Sequence, residues 1–392
     1  MLIDTLLLFS EQLSWLPMLR AGLLILLLLY VFVKYKGHLR HYSFVVIFLA
    51  YSLLQLFFVG DFSKSLNITL KVCLPIASLA VGFHLFSTIQ ELKRLSISVV
   101  WVFFILIFNF VLSQWLGLGN AVYSDDSNFR VGNLDDSWNV FTYSILLTPL
   151  ILYFVQRDTR LRILTYIGAS VNSILVLISI KRIAILGLLT GTLFRWYFAL
   201  RFRSIIKSFF VVALLLSMAY LLFGDLIESR IQARSDRFEA GSFEREGRFL
   251  ESQFVWDEIL SFENPTKSLF GLEGFYSVGN YADGRFGERQ LHVDYNLIAN
   301  TIGLVGLLLY FMMFVQMAIS MRRYSKGASL EIGLSKILLS IFWMLLLNQF
   351  ITSFAGQMYH VSYRLIVFVF IGSILGTVYR SSYAHSISMQ RK

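Results

Sequence analysis

The chain has 392 residues, of which 57% are hydrophobic and only 15% charged, and its mean hydropathy is +0.67. Soluble domains carry roughly 25% charged residues, so this composition excludes a soluble globular protein and indicates a polytopic membrane protein. The net charge of +10 is explained first by membrane orientation, and we expect no nucleic-acid partner. The single cysteine, Cys73, excludes an intrachain disulfide and a cysteine zinc cluster.

Apolar stretches long enough to form membrane-spanning helices follow one another along most of the chain. The predicted spans are 16–34, 41–59, 65–86, 95–114, 138–156, 161–180, 183–199, 205–224, 296–319, 335–354 and 363–379. A further span results if residues 1–15 join the first helix. The sequence therefore predicts an all-α polytopic membrane bundle of about 11–12 transmembrane helices. N-terminal helices (1–224) and C-terminal helices with a cytoplasmic tail (296–392) flank one large external loop (225–295).

Basic residues concentrate in alternate connections between these spans. By the positive-inside rule the basic connections are cytoplasmic, whereas the neutral or acidic ones, including 225–295, are external. The N-terminus is then external and the C-terminus cytoplasmic. We expect a multi-pass protein of the bacterial inner (cytoplasmic) membrane, with its large loop in the periplasm.

One connection departs from this charge pattern. Lys181 and Arg182 join the sixth and seventh spans on the predicted external side, with no glycine or proline to mark the turn. Each such charge near membrane depth costs about 2–3 kcal/mol unless a partner compensates. The pair is either an anion-binding site or a pair that snorkels to lipid phosphates. The acidic loops around it favour the anion site.

The spans contain no Asp or Glu in their interior, and the two halves of the chain show no convincing repeat. Proton-coupled transporters generally need carboxylates within the membrane, and many transporters are built from internal repeats. Both absences disfavour a transporter. Lys71 and His84, in the third span, are predicted to be packing or interface residues.

The large external loop is the only long polar segment, and its aromatic residues indicate that it folds. Its apolar spacing predicts an amphipathic helix that opens near Glu244, runs to about Ser261 and is stopped by Asn264–Pro265. Arg248 would lie in the first turn. There it either binds phosphate together with the helix dipole, or pairs with Glu244 or Glu251 on the surface.

The exit of this loop is rich in glycine and tyrosine, without the strand-to-helix context of a phosphate-binding loop. Tyr281 either stacks on sugar rings or packs the loop. His292 stands at the predicted start of the ninth span. A lone histidine is usually structural, but its place beside a membrane entrance makes His292 a candidate proton acceptor.

These residues together resemble the O-antigen polymerase and ligase superfamily, the Wzy/WaaL-like membrane glycosyltransferases. The resemblance covers roughly 175–320, and the order of its motifs and their predicted side of the membrane carry it. The motifs are Ser179-x-x-Arg182 at a span junction, Gly247–Arg248 early in the loop, Pro265 to Gly271 followed by Gly274, and His292 with ten intervening residues before Gly303 and Gly306.

The resemblance implies a GT-C-like bundle and a donor glycan carried on a polyprenyl diphosphate at the outer leaflet. Its expected catalytic residues are Arg182 and Arg248, which neutralise the diphosphate leaving group, and His292, which removes the acceptor proton. We expect substrate-binding roles for a further set: Ser179, Lys181, Tyr281, Arg285 and Arg289. No metal and no cofactor is expected, because arginines can replace a divalent ion.

A polymerase and a ligase use the same donor and differ in acceptor, which is a second lipid-linked oligosaccharide or a lipid A core sugar. The modest length and basic tail favour the polymerase. A rival from another class is a transporter or flippase of lipid-linked sugar. The expected partners are the polyprenyl-diphosphate-linked oligosaccharide, the lipid bilayer and a chain-length regulator protein.

Overall fold

The computed structural model describes residues 15–117, 137–179, 181–199, 247–279, 281, 290–354, 356, 358 and 360–390, with isolated positions between 210 and 232. These residues form helices, turns and short 3₁₀ segments, and no strand occurs among them. The α-helices are α1 (Trp15–Lys34), α2 (Ser43–Leu54), α3 (Phe62–Leu85), α4 (Ile89–Leu116), α5 (Ser137–Leu146), α6 (Thr148–Phe154), α7 (Thr159–Ser179), α8 (Arg182–Ala199), α9 (Gly247–Ser261), α10 (Pro265–Phe270), α11 (Asp294–Gly327), α12 (Ile332–Thr352) and α13 (Val361–Gln390).

Within the described ranges, seven helical segments are long and apolar enough to cross a membrane, judged by length and composition. They are Lys36–Phe57, which includes α2, and those of α3, α4, α7, α11, α12 and α13. Shorter apolar helices occupy Ala21–Lys34 and Ile183–Tyr197. These helices confirm the predicted all-α polytopic membrane bundle. Most of the predicted span 205–224 lies outside the described residues.

Helices α3 and α13 form the most closely packed pair of the bundle, and glycines bring their backbones into contact. A Cβ atom on Gly82 would come within 2.0 Å of the Val369 carbonyl oxygen, and one on Gly372 within 2.0 Å of the Leu79 carbonyl oxygen. Gly376 repeats this approach one turn later. Small residues spaced by four are the usual means of close helix contact in membranes. This pair is therefore the packed centre of the fold.

Residues in or beside three of the basic connections meet at one end of the bundle. The His41 Nδ1 and Tyr324 hydroxyl are 2.7 Å apart, and the Tyr42 hydroxyl is 2.9 Å from His84 Nε2. Arg380 donates to the His84 carbonyl oxygen at 3.3 Å. Residues of three predicted cytoplasmic connections therefore lie close together. His84 is buried here among aromatic rings, in the packing role predicted for it.

Helix α11 reverses its direction at Gly303, whose φ of 74° and ψ of 179° are not helical. The Tyr295 ring lies 6.4 Å from the Tyr310 ring and 5.4 Å from the Phe311 ring. Fifteen residues of straight helix would separate these side chains by about 22 Å. The segment 294–302 therefore folds back alongside the segment 304–327. The predicted span 296–319 is wrong in this respect, because only the part after Gly303 continues across the bundle.

The turn after α10 packs backbone against backbone on this reversal. A Cβ atom on Gly271 would lie 2.4 Å from backbone atoms of Thr301 and Ile302. The reversal frees carbonyl groups from the helical ladder, and the Tyr51 hydroxyl donates to that of Ile302 at 3.0 Å. The third and fourth motifs of the sequence, which contain Gly271 and Gly303, are thus in direct contact.

Part of the large loop enters the bundle beside α2 and α3. The Thr69 hydroxyl donates to the Gly274 carbonyl oxygen at 2.8 Å, and the Glu273 N–H donates to the Thr301 carbonyl oxygen at 2.9 Å. Phe275 is fully buried and its ring lies 6.4 Å from that of Phe48. These contacts fix the loop segment that leads toward His292.

Two predicted boundaries change in the structure. The predicted span 138–156 is interrupted between α5 and α6, where Pro149 lies in the first turn of α6. Asn264 and Pro265 do not merely stop α9. The Asn264 side chain accepts the Lys267 N–H at 3.1 Å and Pro265 occupies the first helical position, so the pair starts α10.

Candidate functional site

Helix α9 carries Arg248 in its first turn and lies along the start of α11. Its Trp256 Nε1 donates to Asn296 Oδ1 at 3.1 Å, and the Asn296 amide donates to the Ser252 hydroxyl at 2.7 Å. Val255 is fully buried on the same helix. Helix α9 ends at Ser261, as its amphipathic pattern predicts. The folded loop is therefore anchored on the segment that follows His292.

His292 has a partly exposed side chain and is held by three contacts. Two are made by its backbone, and one by its ring with a backbone carbonyl oxygen. Its N–H donates to Glu251 Oε1 at 2.7 Å, and Glu251 is fully buried. Its Nδ1 lies 3.0 Å from the Gln290 carbonyl oxygen, which accepts a hydrogen bond from the Nδ1–H. This hydrogen bond selects the tautomer whose lone pair is on Nε2. A neutral imidazole in this tautomer has the lone pair that a general base needs.

Gln290 and Ser277 fix the chain immediately before His292. Gln290 Oε1 accepts two hydrogen bonds from Ser277, one from its N–H at 2.9 Å and one from the Ser277 hydroxyl at 2.5 Å. The Ser277 hydroxyl oxygen accepts the Leu291 N–H at 2.9 Å. Both side chains are buried or partly buried, so these bonds lie away from bulk water. They set the position from which the His292 side chain extends.

The third contact of His292 is with Gly356, between α12 and α13. A Cβ atom on Gly356 would lie 1.2 Å from the His292 carbonyl oxygen, and Gly356 has a φ of 90°. The neighbouring Asp294 N–H donates to the Ser353 carbonyl oxygen at 3.0 Å. The α12–α13 connection therefore lies directly against the backbone of His292.

A buried polar network continues from this contact into the bundle. Asp294 is 1% exposed and Arg364 is 0% exposed. Asp294 Oδ1 accepts the Met358 N–H at 2.7 Å, and Arg364 Nη1 donates to the Met358 carbonyl oxygen at 3.0 Å. Arg364 Nη2 donates to the Tyr310 hydroxyl at 3.3 Å, which lies 3.1 Å from the Ser353 hydroxyl. The network joins α11, α12 and α13.

Asp294 and Arg364 are not among the site residues predicted from the sequence. Arg364 is a charge inside the predicted span 363–379, and that signal alone could have singled it out. Asp294 precedes the predicted span 296–319, so it was placed outside the membrane. The reversal at Gly303 brings it into the bundle interior. A buried carboxyl group thus lies among the helices, although the interiors of the predicted spans contain none.

The junction of α7 and α8 contains Ser179, Lys181 and the backbone of Arg182. The Ser179 hydroxyl donates to the Val176 carbonyl oxygen at 2.6 Å and accepts the Lys181 N–H at 3.2 Å. Ser179 is fully buried, whereas Lys181 is partly exposed. A serine therefore makes this turn without glycine or proline. Its predicted contact with substrate stays a prediction.

The remaining predicted site residues are described in part. Arg182 begins α8 and Arg248 lies in the first turn of α9, but their side chains are outside the described part, as are Arg285 and Arg289 entirely. Tyr281 is 3% exposed, which favours packing of the loop over stacking on a sugar. The structure thus connects the His292 N–H, through the Glu251 side chain, with the helix that carries Arg248.

Among the residues that the structure describes, no group of three His, Cys, Asp or Glu side chains is arranged to hold a metal ion. No protein-family model matches the chain. No curated protein matches it significantly.

Proposed function

We propose that this protein is a membrane glycosyltransferase that polymerises oligosaccharide repeat units carried on polyprenyl diphosphate. The acceptor hydroxyl attacks the anomeric carbon of the donor glycan while His292 Nε2 takes its proton. The bond between the anomeric carbon and the diphosphate oxygen breaks, and the diphosphate leaves with the electron pair. Arg182 and Arg248, with Lys181, neutralise the charge that develops on it.

The observation that carries this proposal is the hydrogen bond between the His292 N–H and Glu251. Arg248 lies three residues before Glu251 on α9, so this bond ties the proposed base to the helix of a proposed diphosphate-binding residue. The hydrogen bond from Nδ1 to Gln290 supports it further, because it leaves the lone pair on Nε2. A base that is tied to the helix of a cationic residue suits glycosyl transfer from a diphosphate.

The proposed setting follows from the predicted topology. His292 and α9 lie at the end of the bundle opposite to the basic connections, on the predicted periplasmic side of a bacterial inner membrane. The donor diphosphate would lie at the outer leaflet, and a chain-length regulator protein is a proposed partner. The reaction uses no metal, because guanidinium groups stabilise the leaving group.

Two other functions use features on the same molecule. An O-antigen ligase shares the donor chemistry and transfers the glycan to lipid A core. A flippase of lipid-linked sugar belongs to another class, and the buried Asp294 and Arg364 favour it, because ionisable groups within membranes often mark transport paths.

The proposal is tested with purified protein in proteoliposomes that contain a lipid-linked oligosaccharide. We expect His292→Ala, Arg182→Ala and Arg248→Ala each to lower the rate of chain extension by roughly 100-fold or more. The matched controls are His38→Ala and Arg322→Ala, which change exposed residues at the opposite end of the bundle. Unchanged extension in the His292 variant would remove the catalytic assignment.

The acceptor separates the alternatives. Extension of the lipid-linked oligosaccharide without lipid A core identifies a polymerase, and transfer that requires lipid A core identifies a ligase. Movement of the intact lipid-linked sugar between leaflets, with no new glycosidic bond, identifies a flippase and overturns the enzyme proposal.

A further inference from the structure

Residues of the connection between α12 and α13 contact the short segment from His292 to Asp294 at several points. The Asp294 N–H donates to the Ser353 carbonyl oxygen, Gly356 packs on the His292 carbonyl oxygen, and Asp294 Oδ1 accepts the Met358 N–H. No other residue type fits at Gly356 without displacing His292, since its Cβ would overlap the carbonyl oxygen. The position of His292 is thereby coupled to that of this connection.

Arg364 fixes the same connection from inside the bundle. Its guanidinium donates to the Met358 carbonyl oxygen at 3.0 Å and to the Tyr310 hydroxyl at 3.3 Å, and it lies 5.7 Å from the centre of the Phe368 ring. With no exposed surface, Arg364 is enclosed by protein rather than open to a lipid headgroup. It therefore acts through the groups that it touches.

A carboxyl group and a guanidinium thus bind the two backbone polar groups of one residue, Met358. Burying ionisable groups opposes folding, because water solvates them better than the protein interior. Where such groups are kept, they often specify one arrangement among several. The planar fork of an arginine suits this purpose, since it directs two donors at fixed angles. Here the arrangement that Asp294 and Arg364 specify is the placement of Met358.

We propose that Asp294 and Arg364 are positioning residues for His292. They hold the α12–α13 connection in place, and through Gly356 this connection sets the position of the His292 backbone. The catalytic consequence rests on the proposed function, whereas the structural coupling does not. Asp294 and Arg364 contact neither the acceptor nor the diphosphate.

The coupling is measured without any activity. In a Cys73→Ser background, His292→Cys provides a single thiol whose labelling by a membrane-impermeant maleimide reports its position and exposure. The test variant is Asp294→Asn with Arg364→Met, which leaves no buried charge unpaired and keeps an acceptor for the Met358 N–H. The control is Arg380→Met, at the far end of the same helix. It removes a hydrogen bond from an exposed arginine to a carbonyl group.

We expect the labelling rate at position 292 to change by about tenfold in the test variant and to stay within about twofold in the control, as for a change in local opening. Both proteins must elute as the same monodisperse species as the parent. A test variant within about threefold of its control overturns the proposal, and any larger change supports it.

The extension assay then tests the catalytic consequence with His292 intact. The same double variant should lower kcat by roughly 100-fold, which is the effect of a displacement of about 1 Å, and leave the donor KM nearly unchanged. Arg364→Lys alone keeps one donor, so this variant should have a higher kcat than the double variant. A raised KM with unchanged kcat means that Arg364 binds substrate and overturns the positioning role. A parent protein that makes no glycosidic bond removes the proposed function, while the labelling result still decides the coupling.

Discussion

Replacing Gly303 by alanine tests the reversal of α11 most directly. The backbone at Gly303 has a φ of 74° and a ψ of 179°, a region that is open essentially to glycine alone. Imposing it on alanine costs on the order of 1–3 kcal/mol. The new Cβ would also lie 2.3 Å from the Leu269 carbonyl oxygen and 2.5 Å from the Phe270 nitrogen. These are backbone atoms, so the contact is not relieved by rotating a side chain.

Relief of this contact requires the turn after α10 to move away from α11. That movement weakens the bond from the Glu273 N–H to the Thr301 carbonyl oxygen, and the bond from the Tyr51 hydroxyl to the Ile302 carbonyl oxygen. Each is worth about 1 kcal/mol. We therefore expect Gly303→Ala to lower the free energy of unfolding by about 3–5 kcal/mol.

The measurement is reversible unfolding in mixed detergent micelles, followed by tryptophan fluorescence. Gly22→Ala is the matched control, because Gly22 lies inside α1 and a Cβ there meets nothing within 4 Å. Alanine favours helix over glycine by up to about 1 kcal/mol, so the control should be neutral or slightly stabilised. If Gly303→Ala stays within about 0.5 kcal/mol of the parent protein, the strained reversal at this position is refuted.

Further predictions concern a bond at the reversal, two helix starts and the metal requirement. Tyr51→Phe leaves the Ile302 carbonyl group without the Tyr51 hydroxyl and should destabilise by about 1–3 kcal/mol in the same unfolding assay, whereas no change would contradict that bond. Thr88→Ala removes the capping box that Thr88 forms with Glu91, with an expected loss of about 1 kcal/mol by unfolding. The N–H and side chain of Lys64, the third residue of α3, hold the pKa of Asp61 below its usual value, so its stabilising contribution is present above about pH 4 and is lost as pH falls through the lower folded pKa. Melting temperatures of Asp61→Asn and the parent should therefore converge in acid and differ near neutrality. Chain extension should persist in EDTA, and its abolition would contradict metal independence.

The features that sequence predicted well are local ones. The end of α9 at Ser261 follows from apolar residues at helical spacing, and the Asn264–Pro265 pair that starts the next helix comes soon after it. The membrane helices follow from the length and hydropathy of each segment. Such signals are contained within 20 or so residues, so a single sequence reveals them.

The reversal of α11 depends instead on contacts between distant segments. From the sequence alone, Gly303 could equally be a glycine at a helix interface inside a straight helix. Its motif does not distinguish a straight helix from a reversal. The reversal is stabilised by the Tyr51 hydroxyl from α2, which donates to the Ile302 carbonyl oxygen, and by the turn at Gly271, which packs on the backbone of the reversal. The link between Asp294 and Arg364 is similarly hidden, since it passes through the backbone of Met358 rather than through a direct pairing of side chains.

The glycine contact between α3 and α13 joins the early and late parts of the chain without intervening side chains. Separating those parts would expose closely apposed main chains whose mutual fit no lipid tail can reproduce. A rocking of one half against the other, the motion by which many transporters expose a site to alternate sides, would have to break this seam. We therefore expect any motion that admits the proposed lipid-linked substrate to leave Gly82 and Gly372 in register.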